Sequence, residues 1–132
     1  MNTVLIADDD KFFRDTLALS MQQFGYDTVA VSNGKEAVRH IQETPFETLI
    51  LDAHLEGING VQVLSMVKNL DPDLPVIVIT GDSSIDLERK IRSLGVFYYL
   101  IKPFKMEELR EVISSAIRLR EHKNNTRTSG TR

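Results

Sequence analysis

A strict alternation of strand-like and helix-like segments is the feature that most constrains the fold of this chain. Five short apolar runs, rich in β-branched side chains, have the length and composition of buried strands. These runs span residues 3–7, 28–31, 48–51, 76–80 and 98–101. A longer segment with helical periodicity follows each run, so the sequence predicts five consecutive βα units.

The helical segments carry apolar residues at the spacing of a single buried face. In the last segment they recur at i, i+3, i+4, i+7 and i+8, as expected for a helix that packs on a sheet. These residues are Leu109, Val112, Ile113, Ala116 and Ile117. The first segment has the same spacing at Phe13, Leu17, Met21 and Phe24.

Helix-capping residues stand between the segments. Gly25 and Gly95 occupy positions typical of helix C-termini, and Asn33 and Ser83 are predicted N-caps of the helices that follow them. Strict βα alternation implies right-handed crossovers and a parallel sheet covered by helices on both faces. The predicted fold class is therefore α/β, with a doubly wound five-stranded parallel sheet.

Composition excludes several functional classes. The 132 residues suit one domain, and the absence of cysteine rules out thiol catalysis and cysteine-based zinc sites. A net charge of −3 argues against direct nucleic-acid binding by this domain. No apolar run is long enough to cross a membrane, and no secretory signal precedes Asp8, so we expect a cytoplasmic protein without a membrane partner.

Polar residues occupy four of the predicted strand ends. Strand one is followed by Asp8 and Asp9, strand three by Asp52 and strand five by Lys102, while strand four ends on Thr80. Because ligands bind outside the carboxyl ends of strands in such folds, we expect these side chains to converge on one site. Any one aspartate here could simply cap a helix, but capping does not require carboxylates, a hydroxyl and a lysine at one sheet edge.

The expected cluster suits phosphoryl transfer. Unit charges about 4 Å apart repel by roughly 4 kcal/mol at an effective dielectric near 20, and a hard cation such as Mg²⁺ relieves that repulsion. With the metal on one side and Lys102 on the other, Asp52 could attack phosphorus and form an acyl phosphate. Thr80 could then donate its hydroxyl to a phosphoryl oxygen.

These motifs resemble those of the response regulator receiver domains of bacterial two-component signal transduction, the CheY-like superfamily. The likeness covers about residues 3 to 120 and is carried by residues 4–10, 49–52, 57–60, 76–81 and 99–104. It implies a flavodoxin-like (βα)5 fold with strand order 2-1-3-4-5. It also implies a signalling domain that catalyses its own phosphorylation and dephosphorylation, rather than a classical enzyme.

The resemblance assigns a role to each site residue. Asp52 would be the phosphoacceptor, and Lys102 and Thr80 would bind the phosphoryl group. Mg²⁺, with Mn²⁺ as an alternative, would be held by Asp8, Asp9, Asp52 and the backbone carbonyl of His54. Thr80 and Tyr99 would form the switch, with Tyr99 moving inward as Thr80 moves. Pro103 would follow a cis peptide bond.

The resemblance also implies partners. The donor would be a sensor histidine kinase or a histidine phosphotransfer protein, and the recipient a downstream output domain or target protein. The expected output surface is formed by helix four, strand five and helix five, including Glu88, Val96, Tyr99 and Phe104. A phosphorylation-dependent homodimer is one option, although residues 95–99 are apolar where many DNA-binding relatives carry pairing aspartates.

Residues 1–122 are predicted to form the receiver domain. Residues 123–132 lack an apolar period and are predicted to form a flexible polar tail or the start of a linker.

Three alternative functions stay open. They are a haloacid-dehalogenase-type phosphohydrolase, suggested by Asp8 and Asp10, a pseudo-receiver that only binds partners, and a flavin or dinucleotide module. Against the first, Phe12 replaces an expected Thr or Val; against the last, no glycine-rich loop follows strand one.

Overall fold

A single five-stranded parallel sheet forms the centre of the molecule. The computed structural model describes the backbone of residues 2–130 and the side chains of residues 2–125. The strands are β1 (Thr3–Ala7), β2 (Asp27–Val31), β3 (Thr48–Asp52), β4 (Val76–Thr80) and β5 (Tyr98–Ile101). Their spatial order is β2-β1-β3-β4-β5 with every neighbouring pair parallel, which confirms the predicted architecture.

Five helices alternate with the strands. They are α1 (Lys11–Gln23), α2 (Gly34–Glu43), α3 (Gly60–Leu70), α4 (Ile85–Leu94) and α5 (Met106–Gly130). Asn33 caps α2 as predicted, and Gly25 and Gly95 follow α1 and α4 with φ of 94° and 88°, a region that glycine adopts without steric cost. No helix within the described part of the chain is long and apolar enough to span a membrane.

The predicted N-cap of α4 is wrong by one residue. Ser84, not Ser83, accepts a hydrogen bond from the backbone N–H of Leu87. Asp82 explains the shift, because its side chain accepts a hydrogen bond of 2.8 Å from the Ser84 N–H. This bond organises the loop ahead of the helix, so the first helical residue is Ile85.

Two hydrophobic layers cover the sheet, one on each face. Alternate strand residues point to opposite faces: Leu49 and Leu51 contribute to the layer formed with α2, α3 and α4, whereas Ile50 and Ile77 contribute to the layer formed with α1 and α5. All residues of β3 and β4 are buried. Each fully buried Leu or Ile contributes roughly 1.5–3 kcal/mol of hydrophobic stabilisation, so these two strands are the most strongly anchored part of the sheet.

Helix α5 continues beyond the predicted domain boundary. The described backbone is helical through Gly130, whereas residues 123–132 were expected to form a flexible polar tail or the start of a linker. Two ion pairs hold the later turns of the helix: Arg120 makes a bidentate pair with Asp71 at 2.5 and 2.9 Å, and Lys123 Nζ lies 3.7 Å from Asp73. The division at residue 122 stays a prediction, and residues 131–132 lie outside the described residues.

Candidate functional site

Three carboxylates converge at the carboxyl edge of the sheet, as the sequence predicts. Asp8 directly follows β1, Asp9 begins the turn into α1, and Asp52 is the last residue of β3. One oxygen from each of the three lies within 4.8 Å of the other two. Asp8 and Asp52 are buried, at 2% and 8% exposure, whereas Asp9 is exposed. The site therefore concentrates negative charge on two buried carboxylates and one that is exposed to solvent.

Burial raises the pKa of Asp8 to about 6. The hydrogen bond that Asp8 accepts from the Asp10 N–H, 2.9 Å long, and the charge of Lys102 act in the opposite direction, while the neighbouring Asp52 raises the pKa further. A nearby cation stabilises the ionised form of a carboxylate whose pKa is raised in this way. The acidic cluster is accordingly a strong candidate for binding a divalent metal ion.

Backbone geometry fixes the Asp52 side chain. Its Oδ1 accepts a hydrogen bond of 3.0 Å from the His54 N–H in the loop after β3. The start of α3 packs directly beneath this loop, because the Gly60 N–H donates to the carbonyl of Ala53 at 3.1 Å. A Cβ added at Gly60 would lie only 2.6 Å from the Asp52 carbonyl oxygen. The residue that bears the candidate nucleophile thus rests on a helix that only glycine allows to approach so closely.

Lys102 brings the opposite charge to the cluster. Its Nζ lies 3.8 Å from Asp8 Oδ2 and 4.0 Å from Asp52 Oδ2. The backbone N–H of Lys102 donates a 2.7 Å hydrogen bond to the Thr80 carbonyl, and the bond between Lys102 and Pro103 is cis, as the resemblance implies. Lys102 is therefore anchored to the end of β4 while its side chain reaches the two buried carboxylates.

Thr80 is fully buried at the end of β4. Its hydroxyl oxygen accepts a hydrogen bond of 3.0 Å from the Asp82 N–H, so its proton can be donated towards a ligand. Asp82 also reaches across the site, with its Oδ2 3.3 Å from Nε2 of His54. The loops after β3 and β4 are thus linked by side chains beside Asp52.

Tyr99 is buried in the middle of β5, with 8% of its surface exposed. Its hydroxyl is buried and has no hydrogen-bond partner among the described residues. Burial raises the pKa of this hydroxyl, and the charges of Glu88 and Asp82 raise it further. The guanidinium of Arg92 lies over the ring, 5.5 Å from its centroid. The predicted switch residue is therefore in an inward position in this structure.

Two residues at the site were not predicted from the sequence. The Lys102 ammonium lies over the ring of Phe13, 4.0 Å from its centroid, although Phe13 was interpreted only as part of the core. Arg14 donates a hydrogen bond of 2.8 Å to the backbone carbonyl of Asp8 and so supports the turn between the acidic residues. Their position in the first turn of α1, a few residues after three aspartates, is the only signal that the sequence offered.

The family comparison covers most of the chain. Residues 4–114 match the model of the response regulator receiver domain. The putative NtrX-like response regulator of Rickettsia typhi is 33% identical over 108 residues, which are 80% of this chain and 23% of that protein. The transcriptional regulatory protein ZraR of Klebsiella oxytoca is 28% identical over 114 residues, which are 86% of this chain and 26% of that protein. The chain thus spans about a quarter of the length of these curated relatives.

Solved structures have the same fold. A CheY-like receiver domain protein from Methanospirillum hungatei has a TM-score of 0.89 at 24% identity, with 93% of this chain and 98% of that chain covered. A response regulator from Burkholderia pseudomallei, solved with a phosphorylated aspartic acid, a calcium ion and citrate, has a TM-score of 0.80 at 27% identity, with coverages of 93% and 73%.

The sheet order, the convergence of acidic residues with a lysine at its carboxyl edge, and the match over residues 4–114 agree with one another. Every side chain of the cluster lies within the matched range. The chain therefore belongs to the family of response regulator receiver domains, the signalling domains of two-component systems.

Proposed function

We propose that Asp52 is the phosphoacceptor of this receiver domain, and that the donor is a phosphohistidine on a sensor histidine kinase or a histidine phosphotransfer protein. One observation carries the proposal. The Asp52 carboxylate is buried in a cluster with Asp8 and Asp9, and Lys102 Nζ lies 4.0 Å from it. Such an arrangement gives a carboxylate nucleophile and a fixed positive charge for the transferred group.

The donor set fits a hard divalent cation. Oxygens of Asp8, Asp9 and Asp52 lie within 4.8 Å of one another, and burial holds the pKa of Asp8 at about 6. We assign these three carboxylates and the backbone carbonyl of His54 as the residues that would hold Mg²⁺ or Mn²⁺. When bound, the ion would neutralise charge on the phosphoryl oxygens. The Burkholderia pseudomallei relative, which was solved with a phosphorylated aspartic acid and a calcium ion, supports this assignment.

In the proposed step, an Asp52 carboxylate oxygen attacks phosphorus while the bond between phosphorus and the donor histidine nitrogen breaks. The products are an acyl phosphate on Asp52 and, once the released nitrogen has taken up a proton from solvent, an uncharged imidazole on the donor. Lys102 holds its ammonium beside the transferred oxygens. The same residues would also serve hydrolysis of the acyl phosphate, in which water attacks phosphorus and the Asp52 carboxylate leaves, because that transition state carries similar charge on the phosphoryl oxygens.

Phosphorylation would then change the output surface. The Thr80 hydroxyl would donate to a phosphoryl oxygen, and the end of β4 would move with it. This movement would change the conformation of Tyr99 and of the surface formed by α4, β5 and α5, which includes Glu88, Val96 and Phe104. A shift from 1:99 to 99:1 between two states requires a differential affinity of about 5.5 kcal/mol, which contacts from Thr80 and Lys102 to a phosphoryl group could supply.

The recipient of the signal is an output domain or a separate target protein. The full-length relatives are about four times as long as the matched segment, and one of them is named as a transcriptional regulatory protein. We therefore propose that this receiver regulates such a module or a separate target, and that a phosphorylation-dependent homodimer is one form of that output.

Intact mass spectrometry after incubation with acetyl phosphate tests the proposal. We expect a single phosphoryl adduct that requires Mg²⁺ and is absent from Asp52→Asn. Asp73→Asn is the matched control, since Asp73 lies at the opposite end of β4, before Val76, and this variant should be labelled like wild type. Absence of an adduct in wild type, together with no binding of beryllofluoride, would instead favour a pseudo-receiver that only binds partners.

A further inference from the structure

Phe13 lies against the ammonium of Lys102 at the edge of the acidic cluster. The Nζ of Lys102 is over the ring, 4.0 Å from its centroid, which is within the range of a cation–π contact. The two carboxylate oxygens near this ammonium are 3.8 Å (Asp8) and 4.0 Å (Asp52) away. Both distances exceed those of a hydrogen bond, so the carboxylates attract the ammonium without fixing its direction.

The ring of Phe13 is itself held in place. The backbone N–H of Phe13 donates a hydrogen bond of 3.2 Å to the side chain of Asp10, the N-cap of α1. On its edge, the ring makes a T-shaped contact with Phe104, with centroids 6.2 Å apart and planes at 89°. Phe13 also packs on the hydrophobic layer that contains Leu17. The cap fixes the backbone of Phe13, and the contacts with Phe104 and the hydrophobic layer restrict its half-buried ring. The ring is therefore an ordered partner for a flexible lysine.

We propose that Phe13 is a positioning residue for phosphotransfer, whose ring face holds the Lys102 ammonium beside Asp52. The inference rests on the proposed function, because Lys102 has to meet the phosphoryl group that Asp52 receives. The Lys102 side chain is 28% exposed and has several rotatable bonds. Without the ring, this ammonium samples more positions and spends less time beside the nucleophile.

A series of fluorinated phenylalanines at position 13 separates the electronic role of the ring from its packing role. Successive fluorine atoms withdraw electron density from the ring face and weaken its attraction for a cation, with little change in size. We expect the rate constant for phosphorylation of Asp52 by acetyl phosphate to fall stepwise, by about threefold to tenfold over the series. Phe13→Tyr should retain most of the phosphorylation rate. The rate of Phe13→Leu should fall as far as that of the protein with the most fluorinated ring.

Phe24 provides the matched control. It lies just after the C-terminus of the same helix, packs on the same layer, and has the guanidinium of Arg110 over its ring at 4.8 Å. The same fluorinated series at Phe24 weakens a cation–π contact far from the acidic cluster. It should leave the phosphorylation rate unchanged.

Nuclear magnetic resonance of the metal-free protein gives a readout that does not depend on activity. Protons of the Lys102 methylene next to Nζ should show an upfield ring-current shift that disappears in Phe13→Leu. Absence of that shift in wild type, or a phosphorylation rate that stays flat across the fluorinated series, would overturn the inference. If wild type takes up no phosphoryl group at all, the proposed function itself fails, and this outcome is distinct from a flat series in a protein that is labelled.

Discussion

At the scale of single residues, Asp8 links the stability of the domain to pH. Its folded-state pKa of about 6 lies above the ordinary value of 3.8, because the side chain is buried beside another carboxylate. The folded protein therefore binds this proton more tightly than the unfolded chain does. Stability contributed by protonated Asp8 is present below pH 4 and is lost as the pH rises to about 6.

The direction of this pH dependence gives the first prediction. Above pH 6, metal-free Asp8→Asn should be more stable than wild type by up to about 3 kcal/mol, and the difference should vanish towards pH 4. Urea unfolding at several pH values, with and without Mg²⁺, measures the difference. Mg²⁺ should stabilise wild type more than the variant. Equal stability of the two proteins at pH 7.5 without metal would show that Asp8 ionises without cost.

Tyr99 supports the second prediction, because its buried hydroxyl has no hydrogen-bond partner within the described part of the chain. A buried polar group left unpaired costs roughly 1–3 kcal/mol. Tyr99→Phe should therefore stabilise the unphosphorylated protein by about 1 kcal/mol, as measured by thermal or urea unfolding. The control is Tyr98→Phe, which loses an exposed hydrogen bond of 3.1 Å to Glu108 and should not stabilise. Destabilisation by Tyr99→Phe would mean that the hydroxyl is paired in solution.

At the scale of secondary-structure elements, the start of α3 determines where Asp52 can lie. A Cβ at Gly60 would approach the Asp52 carbonyl oxygen and the Ala53 Cα to 2.6 Å, and both are backbone atoms that cannot rotate away. Either α3 or the loop after β3 has to shift when this atom is added. The loop carries the backbone N–H of His54 that orients Asp52, so packing and site geometry are coupled here.

Gly60→Ala is thus the third prediction. We expect a destabilisation of about 1–3 kcal/mol, typical of overpacking, together with slower labelling by acetyl phosphate. Gly81→Ala is the matched control: Gly81 lies in the loop after β4, and an added Cβ there would meet no atom within 4 Å. The coupling is refuted if both variants unfold at the same urea concentration and are labelled at the same rate.

At the scale of the whole molecule, the elements with the strongest periodicity were the most predictable. The strand positions and the five helices follow from alternation and apolar spacing, and only the ends of β2 and β3 differ from the prediction, by one residue each. The sheet order was expected from the resemblance to receiver domains and is confirmed. The ends of β2 and β3 are decided by pairing: Asp27 pairs with Thr3, and Asp52 pairs with Ile79. Pairing between segments that are distant in the sequence cannot be inferred from the local pattern of apolar residues.

The candidate site was predictable where it consists of polar residues at strand ends. Asp8, Asp9, Asp52 and Lys102 meet as expected because parallel strands bring their carboxyl ends to one edge. Contacts between side chains from different loops were not predictable, as with His54 and Asp82 at 3.3 Å. Phe13 was missed for another reason: an aromatic residue at a core position of α1 has the same periodicity whether or not a cation lies over its ring.

In the proposed reaction, one carboxylate among several, that of Asp52, receives the phosphoryl group. Reduction of the acyl phosphate with borohydride, followed by peptide mass spectrometry, identifies the modified residue directly, because an aspartyl phosphate is converted to homoserine. After incubation with acetyl phosphate and Mg²⁺, we predict homoserine at position 52 and unmodified Asp8 and Asp9. Homoserine at Asp8, Asp9 or any other position, with Asp52 intact, would contradict the account.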